Sequence, residues 1–141
     1  MIYDTSYYDR PLRKEINELV GQPFGLLDRL KLKGIGSPRY ILRSSSDDIR
    51  DLLPTDESII NTSIELRPKG IIVHFKKFTE HFSWVIPYYK LSLYFSIDVS
   101  IYENGTFMKF SKNSLKKSQF DFIKKVSKMK AHFMKGYQPV A

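Results

Sequence analysis

Residues 91–102 read Leu-Ser-Leu-Tyr-Phe-Ser-Ile-Asp-Val-Ser-Ile-Tyr, a run in which apolar and less apolar side chains alternate at all twelve positions. Alternation with a period of two is typical of a β-strand that buries one face. Because twelve residues are many for one strand, the run predicts either a strand bent across a barrel or two strands that share a tight corner. The odd-numbered side chains are expected to face the core, and they include Phe95 and Ile97.

Similar alternation lies on both sides of this run. Asn104-Gly105 is a strong β-hairpin signal, so residues 106–110 are predicted to return as the last strand. Residues 67–70, Arg-Pro-Lys-Gly, fit a type I turn in a three-residue hairpin loop. Three earlier strands are predicted from inward side chains at Ile60, Thr62, Ile64 and Leu66, then at Ile71, Val73 and Phe75, then at Phe82, Trp84 and Ile86. Since these pairings join neighbours in the chain, they predict an antiparallel meander.

The chain after the meander has helical periodicity from about Leu115 to Lys135. Apolar side chains repeat near every 3.6 residues, at Leu115, Phe120, Phe122, Ile123, Val126, Met129 and Phe133. The opposite side carries Lys117, Lys124, Lys128 and Lys135. The pattern predicts a C-terminal amphipathic helix that buries an aromatic face on the sheet and exposes lysines to water.

The first 57 residues are less regular and are predicted to form a helical extension packed on the rest of a single domain. A short helix is expected from Pro11 to about Val20, and a strand at Tyr40–Arg43. Ser45–Asp48 has the spacing of a helix-capping box. The extension could flank the sheet, supply an extra strand or mediate association. The predicted organisation is one domain over residues 1–141, with the extension at 1–57, the sheet and helix at 58–135, and a tail at 136–141.

The composition excludes several classes of protein. Apolar residues make up 42% of the 141 residues and aromatic residues 14%, which is too much for a disordered chain. With no cysteine, a disulfide scaffold, a thiolate metal site and cysteine catalysis are excluded. The first ten residues lack the apolar segment of a secretory signal, and no apolar run approaches the ~20 residues of a membrane span. A soluble cytoplasmic protein is expected.

The net charge of +8 lies in one part of the chain. Residues 1–70 hold 11 basic and 11 acidic residues, whereas residues from Asn104 onward hold nine lysines and a single acid, Asp121. All seven arginines lie at or before Arg67, so the basic part uses lysine alone. Lysine is a hydrated point charge that lacks the planar fork of arginine, so this face is a weak indication of sequence-specific nucleic-acid binding.

The candidate binding residues are therefore lysines. They are Lys76, Lys77, Lys112, Lys116, Lys117, Lys124, Lys125, Lys128 and Lys135, with Lys130 on the same helix. One interpretation is the solvated outer face of a core helix. The other is electrostatic attraction to a polyanion, either an anionic membrane or a nucleic acid.

No pattern in the sequence predicts a catalytic, cofactor or metal site. His74, His81 and His132 lack the spacing of metal ligands, and solvated histidines are expected. Glu80 and His81 are adjacent on a strand and point to opposite faces, so they do not converge near Ser83. Residues 34–36, Gly-Ile-Gly, lack the third glycine of a phosphate-binding loop, and the acidic residues of 47–57 are explained by helix capping and solvation. The protein is expected not to be an enzyme.

Three short stretches carry a resemblance to a known family. The run 84–91, Trp-Val-Ile-Pro-Tyr-Tyr-Lys-Leu, is similar to the aromatic Ile-Pro-Tyr segment of bacterial pleckstrin-homology-like and GRAM-type domains. Residues 70–73, Gly-Ile-Ile-Val, resemble their second strand, and residues 101–107 a later hairpin. The resemblance covers residues 58–135 and implies an α+β fold. In this fold an antiparallel meander curls into a small partial barrel that a C-terminal helix closes.

The resemblance and the absence of catalytic patterns together give the functional expectation. The chain is expected to be a non-enzymatic binding or interaction domain, with a protein partner or a second copy of itself as the first expectation. Peripheral binding to anionic lipid or nucleic acid through the lysine-rich helix is the alternative.

Overall fold

The computed structural model describes residues 1–55 and 59–137 and contains nine strands and four α-helices in that part of the chain. The strands are β1 Ile2–Asp4, β2 Tyr40–Ile41, β3 Ser44–Ser45, β4 Asn61–Arg67, β5 Gly70–Lys77, β6 Glu80–Pro87, β7 Ser92–Phe95, β8 Asp98–Glu103 and β9 Thr106–Ser111. The helices are α1 Arg10–Val20, α2 Leu26–Lys31, α3 Asp47–Arg50 and α4 Lys117–Gly136, with 3-10 turns at Tyr88–Lys90 and Lys112–Ser114.

The strands form two antiparallel sheets, which confirms the α+β class and the antiparallel meander. One sheet has the order β1-β6-β5-β4-β2 and the other the order β3-β9-β8-β7. The expected curling into a barrel is corrected, because the sheets do not close: β6 and β7 follow each other in the chain but belong to different sheets. Pro87 lacks the N–H that would extend the ladder, and the 3-10 turn after it redirects the chain.

The run 91–102 is two strands, the second of the two predicted alternatives. β7 and β8 pair as a hairpin, with Ser92 opposite Tyr102 and Phe95 opposite Val99. The inward placement of Phe95 and Ile97 is wrong: Ile97 is 76% exposed and Phe95 is 42% exposed. Phe95 is the last residue of β7, and Ile97 lies in the turn that follows. The alternation of apolar side chains therefore continues in the sequence beyond the end of the strand.

The hairpin turns follow local chemistry. Asn104 and Gly105 have φ values of 46° and 85°, and a two-residue primed turn requires positive φ at both positions. The loop after β4 has two residues and not the predicted three, since Arg67 pairs directly with Gly70. A Cβ on Gly70 would lie 2.7 Å from Val20 Cγ1, so only glycine allows α1 to pack this closely on the sheet.

The N-terminal extension is part of both sheets. β1 pairs with β6, β2 with β4, and β3 with β9. The strand predicted at Tyr40–Arg43 is shorter, since β2 ends at Ile41, and after it the chain passes to the other sheet to form β3. α1 buries Ile16 and Val20 against the outer face of the five-stranded sheet. Extra strands were among the predicted roles of this extension.

The helix predicted after Ser45 begins one residue later than expected. Its N-cap is Ser46, whose hydroxyl accepts a hydrogen bond from the Phe107 N–H at 2.9 Å and donates one to Asp48 at 2.5 Å. Ser46 therefore joins the start of α3 to β9 and does not form a capping box. Asp56 and Glu57, in the predicted acidic cluster, lie outside the described residues.

The core lies between the two sheets and α4. Phe122, Ile123 and Val126 of α4 are buried there, as the helical periodicity predicted. Trp84 is fully buried, and its indole N–H donates to the Glu103 carboxylate at 3.0 Å. α4 begins at Lys117, two residues after the predicted start, and extends to Gly136 in the predicted tail. Within the described ranges, no helix is long and apolar enough to cross a bilayer.

Candidate functional site

Four of the candidate lysines form a line along α4. Lys117, Lys124, Lys128 and Lys135 are all exposed, and their spacings of seven, four and seven residues return to the same side of the helix. At 1.5 Å per residue, the line is about 27 Å long. We call these four residues the lysine ridge.

Two more candidate lysines continue the positive charge at the start of α4. Lys112 lies in the 3-10 turn and Lys116 is the N-cap residue, and both are exposed. The N-terminus of a helix carries partial positive charge, so Lys116 and Lys117 are placed where cations are unfavourable. This placement does not stabilise the helix, and a binding role would account for it.

Lys125 and Lys130 have a different role. The Lys125 ammonium donates to the Leu32 carbonyl at 2.8 Å and to the Gly34 carbonyl at 3.3 Å. Lys130 donates to the Leu91 carbonyl. Both side chains are partly buried, and they tie α4 to the rest of the domain. The structure therefore separates Lys125 from the other candidate residues of the helix.

Lys76 and Lys77 do not belong to α4. They lie at the end of β5, in the five-stranded sheet. Lys76 is exposed and Lys77 half-buried, and Phe78 in the turn that follows is 72% exposed with φ of 54°. Lys76 lines an open groove of about 460 Å³ together with Arg39, His74 and His81. Sequence reasoning did not bring Arg39 or the two histidines into this candidate set.

The groove exists because two neighbouring strands separate. The pairing of β4 with β5 ends at Ser63 opposite His74, whereas the pairing of β5 with β6 continues to Lys77 opposite Glu80. The next pair on the β4 side, Thr62 with Phe75, is not formed, and at this point β4 pairs only with β2, through Thr62 opposite Tyr40 and Asn61 opposite Ile41. Basic side chains, the two histidines and apolar side chains such as Ile60 and Phe78 line the opening.

A row of polar side chains that the sequence did not predict crosses the outer face of the same sheet. His74 lies between Glu65 and Ser83, with Nε2 3.1 Å from a Glu65 oxygen and Nδ1 3.2 Å from the Ser83 hydroxyl. Thr5 of the segment after β1 lies 2.8 Å from Ser83 Oγ and 2.8 Å from His81 Nδ1. We call these five residues the histidine network.

The electrostatics of the histidine network are set by burial and by Arg67. Burial raises the pKa of the Glu65 carboxyl, but hydrogen bonds from His74 and Arg67 and the charge of Arg67 outweigh it and lower the pKa to about 2. The Arg67 guanidinium, 3% exposed, lies 2.5 Å from Glu65. Burial lowers the pKa of His81, and the neighbouring charges of His74 and Lys76 lower it further.

A serine, a histidine and a carboxylate in a row are the parts of an activated nucleophile. Here, however, the serine is only 2% exposed, and its hydroxyl lies against both Thr5 and His74. A nucleophile must reach a substrate, and this one faces the covering segment of β1. The arrangement fixes β1 onto the sheet. Glu65, His74 and Ser83 all occupy outward positions in the period-two patterns of three adjacent strands. This shared outward position was the sequence signal for the histidine network.

In residues 1–55 and 59–137, no group of three or more histidine, aspartate or glutamate side chains converges on a point that could hold a metal ion. His132 is exposed on α4. Comparisons with protein-family models, curated proteins and solved structures give no match for this chain. The function is therefore inferred from the chemistry of the surface alone.

Proposed function

We propose that this protein is a non-enzymatic binding domain of pleckstrin-homology-like architecture that attaches to anionic lipid surfaces through the lysine ridge. The observation that carries the proposal is the line of exposed lysines on α4, extended by Lys112 and Lys116. In residues 104–137 Asp121 is the only acid, so this positive charge is nearly unopposed.

The pleckstrin-homology-like part of the proposal is supported by topology. Two antiparallel sheets built from a meander are followed by one amphipathic helix packed against the core. The segment that contains β2 and β3 contributes to both sheets, as a strongly bent strand would. The absence of closure between β6 and β7 is a departure from the barrel that the resemblance implies.

The non-enzymatic part is supported by the histidine network. The groups best suited to acid–base or nucleophilic work hold one another and β1 in place. Ser83 is almost fully buried, and its hydroxyl already lies within hydrogen-bond distance of Thr5 and His74.

Anionic lipid is favoured over nucleic acid by the residue type. The ridge consists of lysine alone, and a lysine near an acidic leaflet contributes about 1 kcal/mol without specific geometry. Recognition of nucleic acid usually adds arginine forks or stacking platforms next to the basic residues. Because the cytoplasmic leaflet is the anionic one, the proposal includes a cytoplasmic location.

Vesicle co-sedimentation of the full chain tests the proposal. We expect the protein to pellet with vesicles that contain phosphatidylserine and to stay in the supernatant with pure phosphatidylcholine. Equal behaviour with both vesicles would contradict the proposal. So would binding to double-stranded RNA of comparable charge under conditions where the anionic vesicles are not bound.

Self-association is the second candidate, and the edge strand β7 favours it. β7 ends its sheet, and the outer part of its hairpin exposes Tyr94 at 55%, Phe95 at 42% and Ile97 at 76%. An exposed strand edge with apolar side chains is a template for pairing with a second copy. Light scattering should then detect a dimer that Tyr94→Lys converts to monomer. A monomer at all concentrations would eliminate this candidate.

A further inference from the structure

Among the helices of the described residues, the short helix α2 exposes the most large apolar side chains. Leu26 is 75% exposed, Leu27 is 74% exposed and Leu30 is 69% exposed, and none of the six residues of α2 is buried. Leucines in a helix usually face the core, and three such side chains on one turn and a half form an unusual surface for a folded chain.

α2 is held in place by its ends and not by its leucines. The Arg29 side chain donates to the Phe24 carbonyl at 3.0 Å, and the Gly34 N–H donates to the Arg29 carbonyl at 2.9 Å. Lys33 and Gly34 both have positive φ, at 58° and 100°, which ends the helix sharply. The leucines are therefore free to contact something else without any loss to the fold.

The loop after α2 is bonded to α4, the helix that carries the lysine ridge. The Lys125 ammonium holds the carbonyls of Leu32 and Gly34, just after α2, against the middle of α4. Lys125 is the neighbour of Lys124 and three residues from Lys128, both in the ridge. The helix that carries the ridge is thus tied by Lys125 to the loop that directly follows α2.

The charges around the leucines match an anionic interface. Arg29, Lys31 and Lys33 are exposed and alternate with the leucines, and Asp28 is the only acid among residues 26–34. Basic side chains next to leucine and phenylalanine are typical of helices that lie in the headgroup region, because the cations reach phosphates while the leucines enter the acyl boundary.

We propose that α2 is a membrane-inserting element, whose three leucines enter the headgroup–acyl boundary of an anionic bilayer that the lysine ridge has attracted. This rests on the proposed lipid function and deepens it, because electrostatic attraction alone keeps a protein above the headgroups. Stable attachment takes two signals, and the ridge and α2 supply one each. A protein partner for the leucines is the competing occupant, and the cations around them favour the lipid.

A single reporter on α2 measures insertion directly. The chain has no cysteine, so Leu27→Cys gives one attachment site for an environment-sensitive fluorophore. With phosphatidylserine vesicles we expect a blue shift in emission and strong quenching by lipids brominated in their acyl chains. The same label at Glu18→Cys, exposed on α1, should show neither change.

A substitution gives the second measurement. Leu26→Ser, Leu27→Ser and Leu30→Ser together should weaken vesicle binding by about 100-fold, since each loses most of an apolar side chain. The thermal unfolding midpoint should not change, because the leucines pack against nothing in the core.

The outcomes separate the two proposals. If the protein binds the vesicles while the label at residue 27 stays in water, or if the triple variant binds as well as the parent, insertion by α2 is wrong and the lysine ridge is sufficient. If the label shifts with protein concentration in the absence of lipid, the leucines bind another copy and insertion is again wrong. If the parent protein does not bind anionic vesicles at all, both proposals are overturned.

Discussion

At the scale of single residues, the molecule relies on a few buried polar contacts whose partners come from distant parts of the chain. Arg67 is the clearest of these. Its guanidinium holds Glu65 at 2.5 Å, the Asn17 side chain at 2.9 Å and the Gly21 carbonyl at 2.8 Å. One side chain thereby joins β4 to α1 and to the end of that helix.

The pH dependence of stability should report the Glu65 carboxylate. Its pKa is lowered in the folded protein to about 2 from 4.5, so the folded state binds fewer protons than the unfolded state between those values. The contribution to stability is therefore complete above about pH 4.5 and is lost as the pH falls towards 2. Allowing for partial exposure of the side chain, we expect Glu65→Gln to cost about 2 kcal/mol at neutral pH.

Urea unfolding at a series of pH values measures this effect. The free energies of unfolding of Glu65→Gln and the parent should converge as the pH approaches 2. Glu18→Gln, at an exposed position on α1, should follow the parent throughout. A constant difference between Glu65→Gln and the parent at every pH would show that the carboxylate charge is not responsible.

Gly70 should be intolerant of a side chain. A Cβ there would lie 2.7 Å from Val20 Cγ1 and 2.9 Å from Pro87 Cα, so backbone and α1 must both move. We expect Gly70→Ala to destabilise the protein by about 1–3 kcal/mol, the usual cost of overpacking. Gly25→Ala is the matched control, because a Cβ at Gly25 meets nothing within 4 Å. Equal unfolding midpoints for the two variants would contradict the account of this close approach.

At the scale of secondary-structure elements, the sequence predicted the long elements better than the short ones. β4, β5, β6 and α4 each have enough residues for their periodicity to be seen, and Asn104-Gly105 specifies its turn locally. β1, β2 and β3 have two or three residues, which is too short for any pattern, and their pairings depend on tertiary contacts. The inward placement of Ile97 was wrong because its apolar side chain continues the alternating pattern through the turn between β7 and β8.

The part of the candidate site that depends on local spacing could be predicted, whereas the part that depends on distant contacts could not. Exposed lysines on one side of α4 follow from helical spacing, so the ridge could be seen in the sequence. The carbonyls that bind Lys125 come from residues 32 and 34, and no local pattern announces such a contact. The histidine network joins three strands and the segment after β1, so it requires the register of the whole sheet.

β1 should be the element most sensitive to the histidine network. Thr5→Val removes the hydroxyl that lies between His81 and Ser83, at 2.8 Å from each. We expect the backbone amides of β1 to exchange about fivefold faster with solvent, since a buried hydrogen bond contributes roughly 1 kcal/mol.

Hydrogen exchange followed by mass spectrometry makes this measurement peptide by peptide. The amides of β8 and β9 should keep their parent rates, which shows that the effect is local. Tyr7→Phe, at a position that is 81% exposed, should leave β1 unchanged. If Thr5→Val exchanges like the parent, the network does not hold β1.

At the scale of the whole molecule, the charge is divided into a neutral part and a basic part. The extension and the first strands balance their charges, whereas α4 and the segment before it carry the excess of +8. Six of the nine lysines after residue 103 are exposed on α4 and in the segment just before it, and the loop that follows α2 is bonded to α4 through Lys125. Under the proposed function, the ridge and the leucines of α2 contact the same anionic bilayer.

Attraction of this kind should depend on ionic strength. The Debye length falls from about 10 Å at 0.1 M salt to about 3 Å at 1 M, so the exposed lysines lose most of their long-range attraction. Vesicle binding should therefore weaken steeply between these concentrations. Binding that does not change with salt would mean that apolar contacts alone attach the protein.

The most direct test of the central claim is the affinity for phosphatidylserine vesicles of a variant in which the lysine ridge is neutral. This variant carries Lys117→Gln, Lys124→Gln, Lys128→Gln and Lys135→Gln. Its matched control removes four exposed cations elsewhere, with Arg10→Gln, Arg13→Gln, Lys14→Gln and Lys69→Gln, and so has the same net charge. We predict that the ridge variant binds about 100-fold more weakly than the parent or worse, and that the control stays within a few-fold of the parent. Equal losses in the two variants would contradict the claim, because net charge and not the ridge would then determine binding.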